Sequence, residues 1–125
     1  MESKELDALV AVKVMGFYWE GKPRGHQYLY QPGGKQAGIK ERGKEPCYFG
    51  NSQFGKPYLP DYSTSISDAW LVVEEMRGRG LDVRVESFQQ DEGVVIWEAE
   101  VGDKWSDCDT APEAICMAAL EVCRT

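Results

Sequence analysis

The chain has 125 residues, 42% hydrophobic and 11% aromatic, which suits one packed domain (1–125) and excludes a chain too polar to fold. A formal net charge of −7 argues against a surface built to hold nucleic-acid phosphates, so direct nucleic-acid binding is not expected. There is no basic start followed by an apolar run, and no apolar stretch of bilayer length, which predicts a cytoplasmic protein with no membrane partner.

The first predicted element is a helix over roughly 5–16, ELDALVAVKVMG, with Leu6, Leu9, Val10, Val14 and Phe17 at spacings of three and four. Ser3 is its expected N-cap, and Gly16 offers the left-handed turn that ends helices. From Gly21 to Asp61 turn chemistry dominates and no period suits a helix or a strand, so this stretch reads as a long loop insertion. It carries seven Lys/Arg against Glu41, Glu45 and Asp61, a local charge of +4 that leaves −11 on the remainder. A basic loop bearing tyrosines is thus mounted on an acidic scaffold.

A second helix is expected at 66–77. Ser65 and Asp68 form a capping box at its start, and Ile66, Ala69, Trp70, Val73 and Met76 form its buried stripe. LDVRVES then alternates as a strand at about 81–88, and VVIWEAEV returns at 94–101 with Val95, Trp97, Ala99 and Val101 inward. Asp91-Glu92-Gly93 closes that hairpin, and Lys104–Ser106 offers a short third strand. Thr110 and Glu113, with Pro112 in the first turn, open a last helix at 111–123. Its expected buried face is Ile115, Cys116, Ala119, Leu120 and Cys123. Trp70, Val83, Trp97 and Ile115 are the residues expected to be most buried. The resulting class is α+β, three helices packed with a small antiparallel sheet.

Three segments, LDALVAVKVMGF, YSTSISDAWLVVEEM and DTAPEAICMAAL, resemble in this order the small bacteriophage proteins of the phage ABA sandwich domain. The resemblance covers the first helix and everything from Tyr62 onward, and leaves out the loop. It implies an α/β/α sandwich and a phage or prophage source, hence a place in the bacterial host cytoplasm. Small phage proteins commonly act on host machinery, including host immunity. The family often carries Asp after the YST triplet; Ser65 stands there in this chain, and Asp68 is the nearest carboxylate that could take over.

For catalysis the residues offer little. His26 is the one histidine, and the four cysteines (Cys47, Cys108, Cys116, Cys123) have neither C-x-x-C nor metal-finger spacing. Cys116 and Cys123 share a helix face, and a reducing compartment fits such usage. Gly50 to Lys56 loosely resembles a phosphate-binding loop, but Pro57 stands where Ser or Thr belongs. No catalytic residue, metal or cofactor is therefore expected.

A binding loop is better supported. Tyr28, Tyr30, Tyr48, Phe49, Phe54, Tyr58 and Tyr62 offer faces for a flat base, and Arg24, Lys35, Lys40, Arg42 and Lys44 offer charge for phosphate. The candidate ligand residues are Arg24, His26, Tyr28, Tyr30, Lys35, Tyr62, Ser63 and Thr64. The leading expectation is a non-enzymatic counter-defence protein that sequesters a small phosphorylated nucleotide made by the host. A different class fits the acidic scaffold: an inhibitor whose carboxylates, among them Glu98, Glu100 and Asp103, occupy the nucleic-acid site of a host defence protein. A hydrolase without a recognisable motif ranks third. Self-association is compatible with each.

Overall fold

A computed structural model of the chain describes residues 2–22, 24–49 and 59–124. In chain order the elements are α1 (Ser3–Lys13), β1 (Tyr18–Gly21), β2 (Gln27–Tyr30), β3 (Gln36–Lys40), β4 (Cys47–Tyr48), α2 (Ile66–Gly78), β5 (Val83–Asp91), β6 (Val94–Val101), β7 (Lys104–Cys108) and α3 (Ala111–Val122). Three helices and two small antiparallel sheets make an α+β sandwich fold. The chain divides into a helical unit, up to Met15 and from Asp61 onward, and a strand unit, Gly16–Pro60. Among the described residues no helix is long and apolar enough to cross a membrane.

In the helical unit, β5, β6 and β7 form an antiparallel sheet in that order. Asp91 pairs with Val94 around the Glu92-Gly93 turn, where Gly93 takes φ +79°. Glu92 keeps a negative φ, so only the second central residue of the turn is left-handed, a conformation glycine adopts without a Cβ clash. Val101 pairs with Lys104 around Gly102-Asp103, and β7 continues to Cys108, beyond the expected Ser106. Helix α3 lies across this sheet, and α1 and α2 pack on α3. The close packing follows from small side chains, since Ala114, Ala118 and Ala119 are fully buried around Ile115 and Cys116.

The expected N-caps of α2 and α3 both form, each through the forward bond of the capping box. Ser65 Oγ accepts the Asp68 N–H at 3.4 Å, and Thr110 Oγ1 accepts the Glu113 N–H at 3.4 Å. The expected cap on α1 does not. Glu2 is the N-cap, without a side-chain bond, and Ser3 is already helical. The start of α1 is fixed instead by distant chain: the Ser3 carbonyl accepts Ser63 Oγ–H at 3.3 Å, and Lys4 pairs with Asp61 at 2.6 Å.

Burial departs from the expected stripes in four places. On α1, Leu9 is 37% exposed, while Asp7 and Ala11 are buried. On α2 the buried set is Ala69, Val72, Val73 and Met76, while Ile66 and Trp70 are 54% and 45% exposed. The stripe has turned about the helix axis toward Val72, and Trp70 lies outward with the Arg77 guanidinium 6.0 Å from its ring. On the hairpin, residues 86–95 are exposed on both faces, so Val95 is not inward; Val83 and Trp97 are half-buried. On α3, Leu120 and Cys123 are half-buried while Ala111, Pro112 and Ala114 join the core.

The first residues of the three helices line one cleft, and their last turns come together elsewhere in the unit. There Arg79 reaches all three. It donates to the Val14 carbonyl behind α1 at 2.6 Å, to Glu75 of α2 at 3.1 Å and to Cys123 Sγ at the α3 cap at 3.4 Å. A cation suits the negative ends of helix dipoles. Replacing Arg79 by Met is expected to lower unfolding free energy by about 1–2 kcal/mol, a charged hydrogen bond discounted for solvent exposure. Urea titration of both proteins checks it, and equal midpoints would remove this role.

The strand unit corrects the reading of 21–61 as a loop. It holds a four-stranded antiparallel meander in the order β1-β2-β3-β4. The strands have two to five residues and mixed polarity, so no single one shows a period. Their stability comes from cross-strand pairing, which links residues six to thirteen apart. Leu29 sits at the centre, fully buried, between Trp19 of β1 and Gly38 of β3.

Candidate functional site

Strand β2 alternates, so Tyr28 and Tyr30 share one face while Leu29 occupies the other. Tyr18 of β1 stands directly opposite Tyr30, and Ile39 of β3 opposite Tyr28. The rings of Tyr18 and Tyr30 are stacked, with centroids 5.6 Å apart and planes at 28°, and Tyr28 leans on Tyr30 at 6.3 Å and 50°. Tyr18 is 41% exposed and the other two are half-buried. The result is a ledge of three tyrosines on one sheet face. On the opposite face Trp19 leans on Tyr48 at 6.3 Å. Gly38 leaves room for this contact: a Cβ there would lie 3.1 Å from both the Cys47 carbonyl oxygen and a Tyr48 ring carbon, which would have to give by a few tenths of an ångström.

The turns supply charge. In a meander, alternate turns lie at the same end of the sheet, so Lys22 and Arg24 of the β1–β2 turn share an end with Arg42 and Lys44 of the β3–β4 turn. Lys35 belongs to the β2–β3 turn at the other end. His26 Nε2 lies 3.5 Å from Glu41, and Lys44 lies 3.0 Å from it. The Lys44 ammonium foremost, and His26 less, hold the Glu41 carboxyl below its usual range. Arg24 and Lys35 are exposed and have no ion-pair partner among the described residues.

Five of the eight expected ligand residues, Arg24, His26, Tyr28, Tyr30 and Lys35, therefore belong to the strand unit. Tyr62, Ser63 and Thr64 belong to the helical unit. Tyr62 and Ser63 are buried and Thr64 is exposed. The Ser63 N–H donates to Asp7 Oδ1 at 2.8 Å, which ties α1 to the approach of α2. Ser63 and Thr64 also line a cleft of about 530 Å³ with Ser3, Leu6, Ile66 and Thr110, where the three helices start. Phe54, Lys56, Tyr58 and the phosphate-loop-like run from Gly50 lie outside the described residues.

Two participants escaped the sequence reading. Tyr18 joins the ledge only through the register of β1. Asp7 lies in the buried stripe of α1, and its Oδ2 has no partner among the described residues. Burial pushes the Asp7 carboxyl above its ordinary value, against the lowering effect of Ser63. Burial likewise pushes the Cys116 and Cys108 thiols up, away from the reactive thiolate. Among the described residues no group of three His, Cys, Asp or Glu could hold a metal ion.

A family model described as the Phage ABA sandwich domain matches residues 8–120. Nothing matches among curated proteins or solved structures.

Proposed function

The chain belongs to the Phage ABA sandwich domain family, and on that premise we propose that it is a phage accessory protein that binds a small anionic ligand carrying a flat base. It holds this ligand without turning it over. The most concrete form is sequestration of a phosphorylated nucleotide made by the host as a defence signal. The observation that carries the reading is the tyrosine ledge. Aromatic faces on an open sheet accept bases by stacking, and cations at the sheet's end pair with phosphate. Arg24 is free to make that pairing, and Lys35 offers a second cation at the opposite end of the ledge.

Calorimetry with a panel of nucleoside mono-, di- and cyclic phosphates tests the proposal. Binding should weaken as salt rises. Tyr30→Leu keeps apolar bulk in the strand and removes the aromatic face, and should cost roughly 1–3 kcal/mol of binding energy. Arg24→Ala should cost about 1.5–3 kcal/mol through the lost charged hydrogen bond. The recovered ligand should be chemically unchanged after prolonged incubation. A panel that gives no heat at low salt would refute the proposal, and so would product formation that disappears in Cys47→Ala or His26→Ala.

A further inference from the structure

The side of the β5–β7 sheet turned away from α3 bears a distinct pattern. Cross-strand register puts Glu86, Glu98 and Asp107 in one row across the three strands. The row on one side holds Arg84, Glu100 and Trp105, and the row on the other holds Phe88 and Ile96. Adjacent strands are about 4.8 Å apart, so three carboxylates lie in line at close spacing. Like charges placed directly opposite destabilise a sheet. The one cation in these rows, Arg84, is 3.8 Å from Glu100 and leaves the central row without a counter-charge. Trp105 is 61% exposed and Phe88 42%. Aromatic rings therefore flank an uncompensated acidic row on an uncovered sheet face.

We propose that this face docks an arginine-bearing cationic segment of a partner protein. Guanidinium groups match carboxylates bidentately and stack on aromatic rings, so one side chain type satisfies both features of the face. The whole chain, at −7, attracts such a partner at long range. The state of Glu98 agrees. Loss of hydration, and then the Asp107 carboxylate beside it, raise its pKa, a condition that a docked cation would relieve. The face belongs to the helical unit and the tyrosine ledge to the strand unit, and neither reading depends on the other.

The test uses the full chain and two labelled peptides of equal length and charge, one arginine-rich and one lysine-rich, read by fluorescence anisotropy at low ionic strength. The arginine peptide should bind more tightly than the lysine peptide. The triple variant Glu86→Gln, Glu98→Gln, Asp107→Asn should weaken it about tenfold or more, the effect of one lost charged hydrogen bond. Trp105→Ala should weaken it about threefold through the lost cation–π contact. A control triple with the same loss of charge on the helices, Glu5→Gln, Glu74→Gln, Glu121→Gln, should change affinity less than about twofold.

Equal losses in the two triples would mean attraction by net charge alone and would overturn the proposal. A lower melting temperature in the face triple would mean that the carboxylates serve the fold, and would overturn it as well. Sedimentation at low salt supplies the last arm. Self-association abolished by the face triple would make a second copy the occupant and overturn the assignment to a foreign partner.

Discussion

Replacing Asp7 by Leu is expected to lower unfolding free energy by about 1–3 kcal/mol, because the buried Ser63 N–H loses its acceptor. The loss should depend on pH in a defined direction. The folded protein holds the Asp7 proton more tightly than the unfolded chain does, since burial raises this carboxyl above its ordinary 3.8. Its contribution is therefore fully present below about pH 3.8 and declines as pH rises through the raised value. The Leu variant lacks that dependence, so the gap between the two proteins should be widest in acid and narrow toward neutrality. Asp7→Asn keeps an oxygen for the Ser63 N–H and should stay closer to the parent, gaining on it as pH rises. Denaturant titrations at several pH values decide the matter. A gap that widens with pH would show that Asp7 stabilises the fold as an anion, against this account.

Ile115→Ala should cost about 2–5 kcal/mol, the range for emptying a buried aliphatic position. The upper part of that range is expected, because Ile115 is 1% exposed and lies on α3, the helix against which the sheet and the other two helices pack. Trp70→Ala removes a much larger side chain but should cost about 1 kcal/mol or less, mainly an exposed cation–π contact with Arg77. Thermal melts of the two variants side by side test the contrast. Equal destabilisation would mean that Trp70 is a core residue.

That contrast marks where the sequence was legible. Caps are local: Ser65 with Asp68 and Thr110 with Glu113 place two helix starts within four residues, and both form. The β5–β6 hairpin was equally readable from alternation on each side of Asp91-Glu92-Gly93. Which side of a helix faces inward is settled by its neighbours. On α2 the stripe drawn through Ile66 and Trp70 turned toward Val72 for that reason. The strand unit was missed because its pieces are short and pair with one another. Gly33-Gly34 between QYLY and QAGIK was the one local sign of a hairpin. Of the candidate site, Tyr28 and Tyr30 could be named from composition, but Tyr18 needed the register. Tyr62, named for its aromatic face, and Ser63 are buried, with Ser63 bonded to Asp7.

Helix α1 is joined to the helical unit through partners distant in the chain. Asp7 and Ser63 are 56 positions apart, Lys4 and Asp61 are 57, and Val14 and Arg79 are 65. On the ribosome α1 therefore emerges first and docks late. At ordinary elongation rates its apolar face, Leu6, Val10 and Val14, waits roughly three to eleven seconds for Ser63 to appear. The strand unit emerges during that interval, and its antiparallel pairs can close within it. The nascent chain thus carries an unsatisfied amphipathic helix ahead of a forming sheet, and in that window it is open to chaperones and to premature association.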